Sequence, residues 1–394
     1  MKPSRQVRHS VLLFFAMALG ATFVSITGYA QTYTILHAFN NRPDGDSPQA
    51  GVTLDAAGDI FGTAIEGGLY HKGTAWRVDA NGAFSVLYTF NGGVGSLPDT
   101  PLLLDGKGNL YGTTSLGGHK GLGSVYSLSA QGEVKELWGF NSGGYPQGRL
   151  ALDPHRGILY GAAASGGTAG TAWRLSPMHR FVFLHRFAGP PDGAIPISGL
   201  IRNAGGELYG ATHQGGQVTQ QCQQGCGTVF KINSAGKESI LYSFQGAGDG
   251  IGPAEGDLIL DSSGNLYGTT AGGGGANACG YLGCGTVYKI TPSGQETVLY
   301  GFQGGSDGMF PNGGLVLDGN GGVYGSTPST LFHLDSPGKL TTIYSQPIDC
   351  SNGCDFNPDL AIDSAGALYG TTSFGGDLNC HFGRGCGVVF KFVP

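Results

Sequence analysis

The tripeptide Leu-Tyr-Gly, or a close variant of it, recurs along the chain, and this repeat constrains the fold more than any other feature. Its aromatic residue stands at Phe61, Tyr111, Tyr160, Tyr209, Tyr267, Tyr324 and Tyr369. Successive copies lie 45 to 58 residues apart. A regular spacing of this size is typical of proteins that place one supersecondary unit beside the next, so the chain is predicted to be a repeat protein.

Each repeat is predicted to contain four short β-strands. In the copy at 256–302, β-type runs at 257–261, 266–270, 286–290 and 296–302 are separated by turns and one Gly-rich loop. Short alternating runs bounded by Gly, Asn, Asp and Ser indicate hairpins. Four antiparallel strands in about 50 residues are typical of one β-propeller blade. A β-solenoid is the alternative, but its repeats are usually shorter and lack two hairpins each.

The two ends of the chain complement each other. The last repeat supplies strands at 359–363, 367–371 and 388–392 and then stops without a fourth. Residues 33–39 resemble the fourth strands of other copies and precede the first complete repeat. Pairing these two ends would protect two sheet edges. We therefore predict an all-β fold, a seven-bladed β-propeller of four-stranded blades that the N-terminal strand closes.

The first 30 residues are predicted to be a signal peptide, and residues 31–394 a single propeller domain. Basic residues precede an apolar run at 11–24, and Gly28 and Ala30 place small residues where a signal peptidase cleaves. That run is shorter than the ~20 residues of a membrane span, which disfavours an uncleaved anchor. The expected blades span 51–90, 101–140, 148–187, 199–244, 256–302, 313–345 and 358–393, the last completed by 32–39.

Composition argues against several functions. The net charge is −6 and only 12% of the residues are charged. An acidic chain is a poor partner for nucleic acid, since Lys and Arg must displace the counterions, and it is not attracted to an anionic membrane. No stretch after the signal is apolar enough to span a bilayer. We expect a secreted, extracellular or periplasmic monomer with no nucleic-acid partner and no membrane span.

The loops are predicted to divide into two unlike faces. The chain crosses each blade four times, so the 1–2 and 3–4 turns lie on one face. The 2–3 loops and the blade-to-blade links lie on the other. Turns of the first kind are short throughout, as at 56–58 and 106–108, whereas nearly all length variation falls in the second set. Loops of variable length on a rigid scaffold are where binding usually resides, although unconstrained drift would also produce them.

All eight cysteines fall in close pairs, which predicts four local disulfides in an exported chain. The pairs are Cys222 and Cys226, Cys279 and Cys284, Cys350 and Cys354, and Cys380 and Cys386. Three pairs lie in 2–3 loops, and Cys350 and Cys354 lie in the link before the seventh blade. Zinc is the alternative, but pairs in separate blades could not easily converge on one ion.

Candidate binding residues all lie on the loop-rich face. They are Glu66, His71, His119, His213 and His381. Histidine can bind metal or act as a base, but their spacing supports neither role, and exposed loop residues are the simpler interpretation. Glu66 replaces the uncharged residues of the other copies and lacks a second carboxylate that would make an acid–base pair.

Four blade-to-blade links repeat Asp-Gly with Pro three residues beyond the Gly. Their aspartates are Asp44, Asp192, Asp249 and Asp307. Oxygen ligands repeated around a ring could hold calcium, but Asp-Gly is equally a turn signature. We expect no cofactor, with calcium as the alternative. No phosphate-binding loop or nucleophile elbow is present in the sequence, and the catalytic residues are unknown. The repeated Tyr and the three Trp are interpreted as blade packing.

The repeat resembles a known family. The motif Asn-Leu-Tyr-Gly-Thr-Thr, then Gly-Thr-Val-Tyr-Lys-Ile, then Leu-Tyr-Gly-Phe is carried best by residues 265–270, 285–290 and 299–302. It is similar to the GloVer (Gloeobacter/Verrucomicrobia-type) tandem repeat of exported bacterial proteins. The resemblance implies export and repetition, and it brings no activity and no functional residue.

Two functions remain open on the sequence. The first is an extracellular binding or interaction module that engages a glycan or a protein through the loop-rich face. The alternative is a secreted carbohydrate-active or lactonase-type enzyme that uses the same face or the central channel. Because a propeller hosts many activities, the fold does not choose between them. The absence of a charged cluster in the sequence favours binding.

Overall fold

A computed structural model describes residues 31–394 apart from residues 143, 166–168, 247, 254–255, 276, 348, 358, 379 and 381–382. The predicted signal peptide lies outside the described residues and stays a prediction. The described residues form strands, turns and one 3-10 helix, Asn277–Leu282, and contain no α-helix. No helix among them is long and apolar enough to cross a membrane.

Seven four-stranded antiparallel blades form a ring, which confirms the predicted seven-bladed β-propeller. Blade 1 contains β2 (Thr53–Leu54), β3 (Ile60–Ala64), β4 (Thr74–Val78) and β5 (Phe84–Thr89). Blade 2 contains β6 (Leu103–Leu104), β7 (Leu110–Thr114), β8 (Ser124–Leu128) and β9 (Val134–Gly139). Blade 3 contains β10 (Pro146–Asp153), β11 (Ile158–Ala163), β12 (Thr171–Leu175) and β13 (Phe181–Arg186).

The later blades follow the same order, and some carry short extra strands from the links. Blade 4 contains β15 (Ile201–Arg202), β16 (Leu208–Thr212), β18 (Thr228–Ile232) and β19 (Glu238–Ser243), beside the pair β14 (Gly193–Ala194) and β17 (Gln214–Gly215). Blade 5 contains β20 (Ile251–Pro253), β21 (Ile259–Leu260), β22 (Leu266–Gly272), β23 (Thr286–Ile290) and β24 (Glu296–Gly301). Blade 6 contains β25 (Val316–Leu317), β26 (Val323–Ser326), β27 (Thr330–Leu334) and β28 (Leu340–Ser345).

The N-terminal strand closes the ring, as the sequence predicts. Blade 7 contains β29 (Cys354–Phe356), β30 (Ala361–Ile362), β31 (Leu368–Phe374) and β32 (Val388–Val393), with β1 (Thr32–Ala38) as its outer strand. β1 pairs antiparallel with β32 from Thr32 opposite Val393 to Ala38 opposite Val388. The ring of Tyr33 also stacks on Tyr344 of blade 6, with centroids 4.3 Å apart. The first strand of the chain therefore joins the last blade to its neighbour.

The glycine of each Leu-Tyr-Gly is required by packing inside the blade. In blade 2 a Cβ on Gly112 would lie 2.5 Å from the hydroxyl oxygen of Tyr126 on the next strand. Gly62 faces Trp76 in the same way, and Trp76 is fully buried. A large aromatic side chain thus fills the space that the glycine leaves, which is why one short motif marks the centre of every blade.

The repeated tyrosine links the second strand to the first hairpin. Tyr267 donates a hydrogen bond from its hydroxyl to Asp261 Oδ2 at 3.1 Å, and Tyr369 does the same to Asp363 at 2.9 Å. Asp261 Oδ1 also accepts hydrogen bonds from the backbone N–H groups of Ser263 and Asn265. The tyrosine is therefore a scaffold residue, in agreement with the packing interpretation.

Candidate binding face and channel mouth

The links and the 2–3 loops lie together on one face, which we call the loop-rich face. In blades 1 and 2 a backbone bridge joins each link to its own 2–3 loop, Asp46 to Glu66 and Ser96 to Leu116. In blade 4 the contact is the strand pair β14 and β17. The 1–2 and 3–4 hairpin turns occupy the opposite side, which we call the tight-turn face.

All four predicted disulfides are present in the structure, and it holds no free cysteine. A cysteine zinc site is therefore excluded among the described residues. Three of the disulfides also contribute to the hydrophobic core. Cys222 and Cys226, for example, pack in one cluster with Phe244, which directly follows the outer strand of the same blade. A disulfide in such a loop both closes it and anchors it to the blade.

Exposed apolar side chains are concentrated on the loop-rich face. Nine of the thirteen large apolar residues that the described part of the chain exposes are there: Leu69, Tyr70, Tyr145, Val218, Tyr281, Leu282, Met309, Phe310 and Leu378. Three others lie on outer strands, and Met178 alone occupies a tight turn. Tyr281 and Leu282 lie between Cys279 and Cys284, with 69% of the Tyr281 side chain exposed. The loop-rich face therefore has the apolar character of an interaction surface.

The predicted polar site residues do not form one site. Glu66 and His71 are exposed in blade 1, and His71 contacts Arg42 through its Nε2. His119 is exposed in blade 2, where its backbone N–H donates to Glu136. His213 is partly buried in blade 4, and His381 lies outside the described residues. These residues stay predictions, since none of the described ones belongs to a group of three converging ligands.

The aspartates of the four Asp-Gly links have local structural roles. Asp249 Oδ2 accepts a hydrogen bond from the hydroxyl of Tyr242 at 2.7 Å, and Asp307 Oδ2 accepts one from Tyr300 at 3.0 Å. Asp44 and Asp192 bond in the same way to the Nε2 atoms of histidines His37 and His185. Each carboxylate also accepts a nearby backbone N–H. These contacts give each of the four aspartates a structural role in its link.

Residues from six of the seven blades line one cavity of about 290 Å³. Six blades can contribute to one cavity only at the centre of the ring. Its lining residues are Gln49, Ala50, Gly51, Asp99, Pro101, Gln147, Gly148, Ile197, Asn312, Asp355, Asn357, Asp359 and Ser373. Most come from the end of a link, directly before the first strand of a blade. The cavity is therefore the mouth of the central channel on the loop-rich face.

The carboxyl groups at the channel mouth are poorly hydrated. Burial raises the pKa of Asp99 to about 6 and the pKa of Asp359 to about 7, and it also raises the pKa of Asp355. Asp359 is 7% exposed, and its Oδ1 accepts the backbone N–H groups of Asp257 and Gly314. Proximity to the Asp257 carboxylate raises the pKa of Asp359 further. Shifts of this kind mark a candidate functional site.

Two acceptor atoms at the channel mouth have no hydrogen-bond partner. Oδ1 of Asp99 and Oδ1 of Asn312 are shielded from solvent and receive no donor from the described residues. The other oxygen of Asp99 accepts the hydroxyl of Ser115 at 2.5 Å. Next to the cavity, Arg149 pairs with Asp257 at 3.2 Å, and the charges of both residues act on Asp359. A buried polar atom left without a partner costs free energy, but scaffold side chains such as Trp76 and Tyr126 also hold one, so this feature does not by itself mark a site.

Sequence reasoning missed this site, although the repeat contained the signal. Aligned on the first strand, the copies place Gln49, Asp99, Gln147, Asn312 and Asn357 at one equivalent position. The corresponding residue of blade 4 is Ile197. A polar residue at the same point of successive blades predicts a polar ring around the axis. Comparing copies position by position, and not only by loop length, would have found it.

A larger cleft of about 620 Å³ lies on the tight-turn face between blades 2 and 3. Its polar groups are engaged locally. Asp105 accepts the backbone N–H groups of Lys107 and Asn109, and Nδ1 of His179 bonds to the Leu137 carbonyl at 2.7 Å. We therefore regard the channel mouth as the better candidate site despite its smaller volume.

The ring of seven blades places this chain among the β-propellers, and the repeats themselves identify its family. The profile of the Gloeobacter/Verrucomicrobia repeat matches residues 17–221 and 217–394. The chain therefore belongs to the Gloeobacter/Verrucomicrobia repeat family, as the sequence motif predicts. A comparison with curated proteins returned no relative of this chain.

Solved structures resemble the chain in fold alone. The extracellular domain of a protein described as a hybrid two component system from B. thetaiotaomicron is 13% identical, with a TM-score of 0.59 over 93% of this chain and 41% of its own. A second extracellular domain from the same organism, described as part of a one component system, is 12% identical, with a TM-score of 0.56 over 90% and 40%. A gluconolactonase from Xanthomonas campestris is 14% identical, with a TM-score of 0.46 over 91% and 88%.

Proposed function

We propose that this protein is an extracellular or periplasmic interaction module that binds a partner protein through the loop-rich face. The observation that carries the proposal is the unequal distribution of exposed apolar side chains. Nine of the thirteen that the described residues expose lie on that face, and one lies on the tight-turn face. Exposed Tyr, Phe, Met and Leu side chains are typical of protein interfaces, where their burial drives association.

The disulfides support the proposal because they hold apolar side chains in place before binding. Tyr281 and Leu282 project from the ring that Cys279 and Cys284 close. Leu378 lies two residues before the Cys380–Cys386 disulfide. A loop that is already ordered loses less entropy on binding, so the same contacts give a higher affinity. Four disulfides also suit an oxidising compartment outside the cytoplasm.

A protein partner fits this surface better than a glycan. Five of the nine exposed residues are aliphatic side chains or methionine, namely Leu69, Val218, Leu282, Met309 and Leu378. These side chains bury well against another apolar surface and offer no hydrogen bond to a sugar hydroxyl. Glycan binding remains the alternative outcome of the test.

Site-specific photo-crosslinking tests the proposal. Tyr281 and, as a matched control, Met178 are each replaced by a photo-crosslinking amino acid, because both are exposed but on opposite faces. A protein crosslinked from Tyr281 and not from Met178 is identified by mass spectrometry, purified and titrated against the native chain. We expect Tyr281→Ser to weaken that binding by about tenfold or more, the loss typical of a hot-spot aromatic.

Two results would reject a protein-binding role. One is equal crosslinking from both positions. The other is a glycan array on which the native chain binds a sugar and Tyr281→Ser and Leu69→Ser do not, which would identify a glycan as the ligand of the same face.

The channel mouth supports a second candidate function, a hydrolase or lactonase. Carboxyl groups with raised pKa values, such as Asp99 and Asp359, are suited to general acid–base catalysis near neutral pH. Product assays on polysaccharides and lactones test it. If the native chain turns over a substrate and Asp99→Asn and Asp359→Asn do not, the protein is an enzyme. If no substrate is turned over, the enzyme hypothesis fails and the interaction module is retained.

A further inference from the structure

The channel mouth holds an excess of negative charge. The carboxyl groups of Asp99, Asp355 and Asp359 line the cavity, and no Lys, Arg or His is among its described lining residues. Arg149 is paired with Asp257 at 3.2 Å, and its charge also acts on Asp359, where it lowers the pKa against the larger effect of burial. Oδ2 of Asp359 accepts no hydrogen bond from a described residue and is not fully shielded from solvent, so it can be reached from the cavity. Several poorly hydrated carboxyl groups beside a single arginine are unfavourable when ionised, so the cavity would be stabilised by a further cation.

We propose that the channel mouth is a binding site for an organic cation, a primary ammonium group on a molecule that also carries hydrogen-bond donors. The carboxylates of Asp99 and Asp359 would balance the charge. Oδ2 of Asp359 and the side-chain oxygens of Gln49 and Gln147 would accept hydrogen bonds from the donors of that molecule. Charge-assisted hydrogen bonds in a partly dehydrated site are stronger than neutral ones, which would favour the ammonium over a hydroxyl.

The geometry favours an organic cation over a bare metal ion. Among the described residues, groups of three His, Cys, Asp or Glu ligand atoms within 4.8 Å of one another occur only at Asp46, Cys380 and Cys386 and at His185, Asp192 and Glu238. The channel carboxylates do not converge in this way. The cavity of about 290 Å³ is also roughly ten times the volume that one water occupies in the liquid, about 30 Å³. A molecule of several non-hydrogen atoms could bridge carboxylates that one ion could not.

The ammonium group could come from two sources. It could belong to a free amine that diffuses into the channel, or to a lysine side chain that a bound protein inserts from the loop-rich face. Both place the same chemistry at the same carboxylates. The site is separate from the exposed apolar residues, so it can be present whether or not the face binds a protein.

Calorimetric titration at pH 8 with two pairs of probes tests the proposal. Cadaverine is compared with pentanediol, and the acetylated amide of lysine with the acetylated amide of norleucine. Each pair has the same carbon framework and differs in its ammonium groups. We expect the amines to bind and the neutral probes to bind about tenfold more weakly or not at all, as expected for loss of a charged hydrogen bond.

Variants locate the site. Asp99→Asn and Asp359→Asn should each weaken the amine by about tenfold, since each removes one charge and keeps the side-chain shape. Glu133→Gln is the matched control because Glu133 is exposed in a tight turn on the opposite face, and it should leave the affinity unchanged. Circular dichroism confirms that each variant is folded. If Asp359→Asn does not fold, Asp99→Asn alone decides the test.

Tighter binding of cadaverine would indicate a free amine, and tighter binding of the lysine derivative would indicate an inserted side chain.

Three results would overturn the proposal: equal binding of charged and neutral probes, amine binding that Glu133→Gln weakens as much as Asp99→Asn, and no amine binding at all. Calcium binding that Asp99→Asn abolishes, with no amine binding, would replace the organic cation by a metal ion. If the channel mouth binds no amine, the crosslinking result at Tyr281 is unaffected, because that experiment tests the loop-rich face.

Discussion

The two faces of the propeller are built from the same four strands and yet differ in almost every respect. On the tight-turn face one pattern of hydrogen bonds returns from blade to blade. Asp105, Asp261 and Asp363 each accept two backbone N–H groups and a tyrosine hydroxyl in the first hairpin. On the loop-rich face the loops differ in length, carry all four disulfides and expose nine apolar side chains.

This difference separates the residues that build the ring from those available for binding. A tight hairpin is held by its own turn residues, so it folds in the same way in each blade. A longer loop has little core of its own, and here disulfides and contacts with the blade take that role. Residues between these anchors are therefore free to expose side chains that the fold does not need.

The largest expected effect is on the scaffold. Trp76 is fully buried over Gly62, and Trp76→Ala should lower the free energy of unfolding by about 3–5 kcal/mol, because it leaves a large cavity. Urea denaturation measures the change. A loss below about 1 kcal/mol would mean that the blade refills the cavity and that the scaffold is less tightly packed than the structure indicates.

The disulfides should differ among themselves. Cys222–Cys226 and Cys350–Cys354 both join residues four apart, so they restrict the unfolded chain equally. Cys222 and Cys226 are buried in a core cluster, whereas Cys350 and Cys354 are half-buried. Replacing the first pair by alanine should therefore cost about 2–3 kcal/mol, and replacing the second should cost less. Equal losses in chemical denaturation would show that burial against the blade adds nothing.

The pH dependence of stability should also distinguish the two regions. Burial raises the folded-state pKa of Asp99 and Asp359 to about 6 and about 7, so their contribution is lost as the pH rises from about 4 through those values. Hydrogen bonds from the turn lower the pKa of Asp261, so its contribution is lost as the pH falls below about 4.

The melting temperature of the native chain should therefore be highest between about pH 4 and pH 6. Asp359→Asn should raise the melting temperature at pH 8 and leave it nearly unchanged at pH 4.5, where the native carboxyl is already protonated. If Asp359→Asn lowers the melting temperature at pH 8, then the native carboxylate is stabilised there and the site is not short of positive charge.

A single hairpin cap should have a smaller effect. Asp261→Ala removes the acceptor of two backbone N–H groups and of the Tyr267 hydroxyl, and it should cost about 1–2 kcal/mol. Ser262→Ala in the same exposed turn is the control and should stay within about 0.5 kcal/mol of the native chain. Similar losses for both variants would contradict the role of the repeated aspartate.

The smallest effect on stability is expected at the loop-rich face. Tyr281 is 69% exposed, so Tyr281→Ala should change the free energy of unfolding by less than about 0.5 kcal/mol. The same variant should no longer bind the protein that is crosslinked from Tyr281 in the native chain. A large loss of stability would instead make Tyr281 a structural residue and remove the main support for the interaction surface.

The fold could be predicted from the sequence because it depends on local patterns that repeat. The Leu-Tyr-Gly copies gave the number of blades, and the resemblance of residues 33–39 to other fourth strands gave the closure. The disulfides followed from the isolation of each cysteine pair in its loop. Each of these inferences needed only neighbouring residues or a comparison of one copy with another.

The channel mouth could not be predicted in the same way because its residues meet only when the ring closes. Asp99 and Asp359 are 260 positions apart in the numbering, and nothing near either one indicates the other. The histidines of the loop-rich face were conspicuous in the sequence, but rigid blades keep His71, His119 and His213 in separate loops. The Asp-Gly aspartates resemble calcium ligands in the sequence, whereas in the structure each bonds to a His or Tyr seven residues earlier.

Hydrogen–deuterium exchange on the native chain tests the separation of the two faces most directly. Exchange is followed with and without the purified protein that is crosslinked from Tyr281. The account predicts protection of the 2–3 loops and links, above all around residues 279–284, and no change in hairpin turns such as 261–265. Protection of the hairpin turns, or of both faces equally, would contradict it.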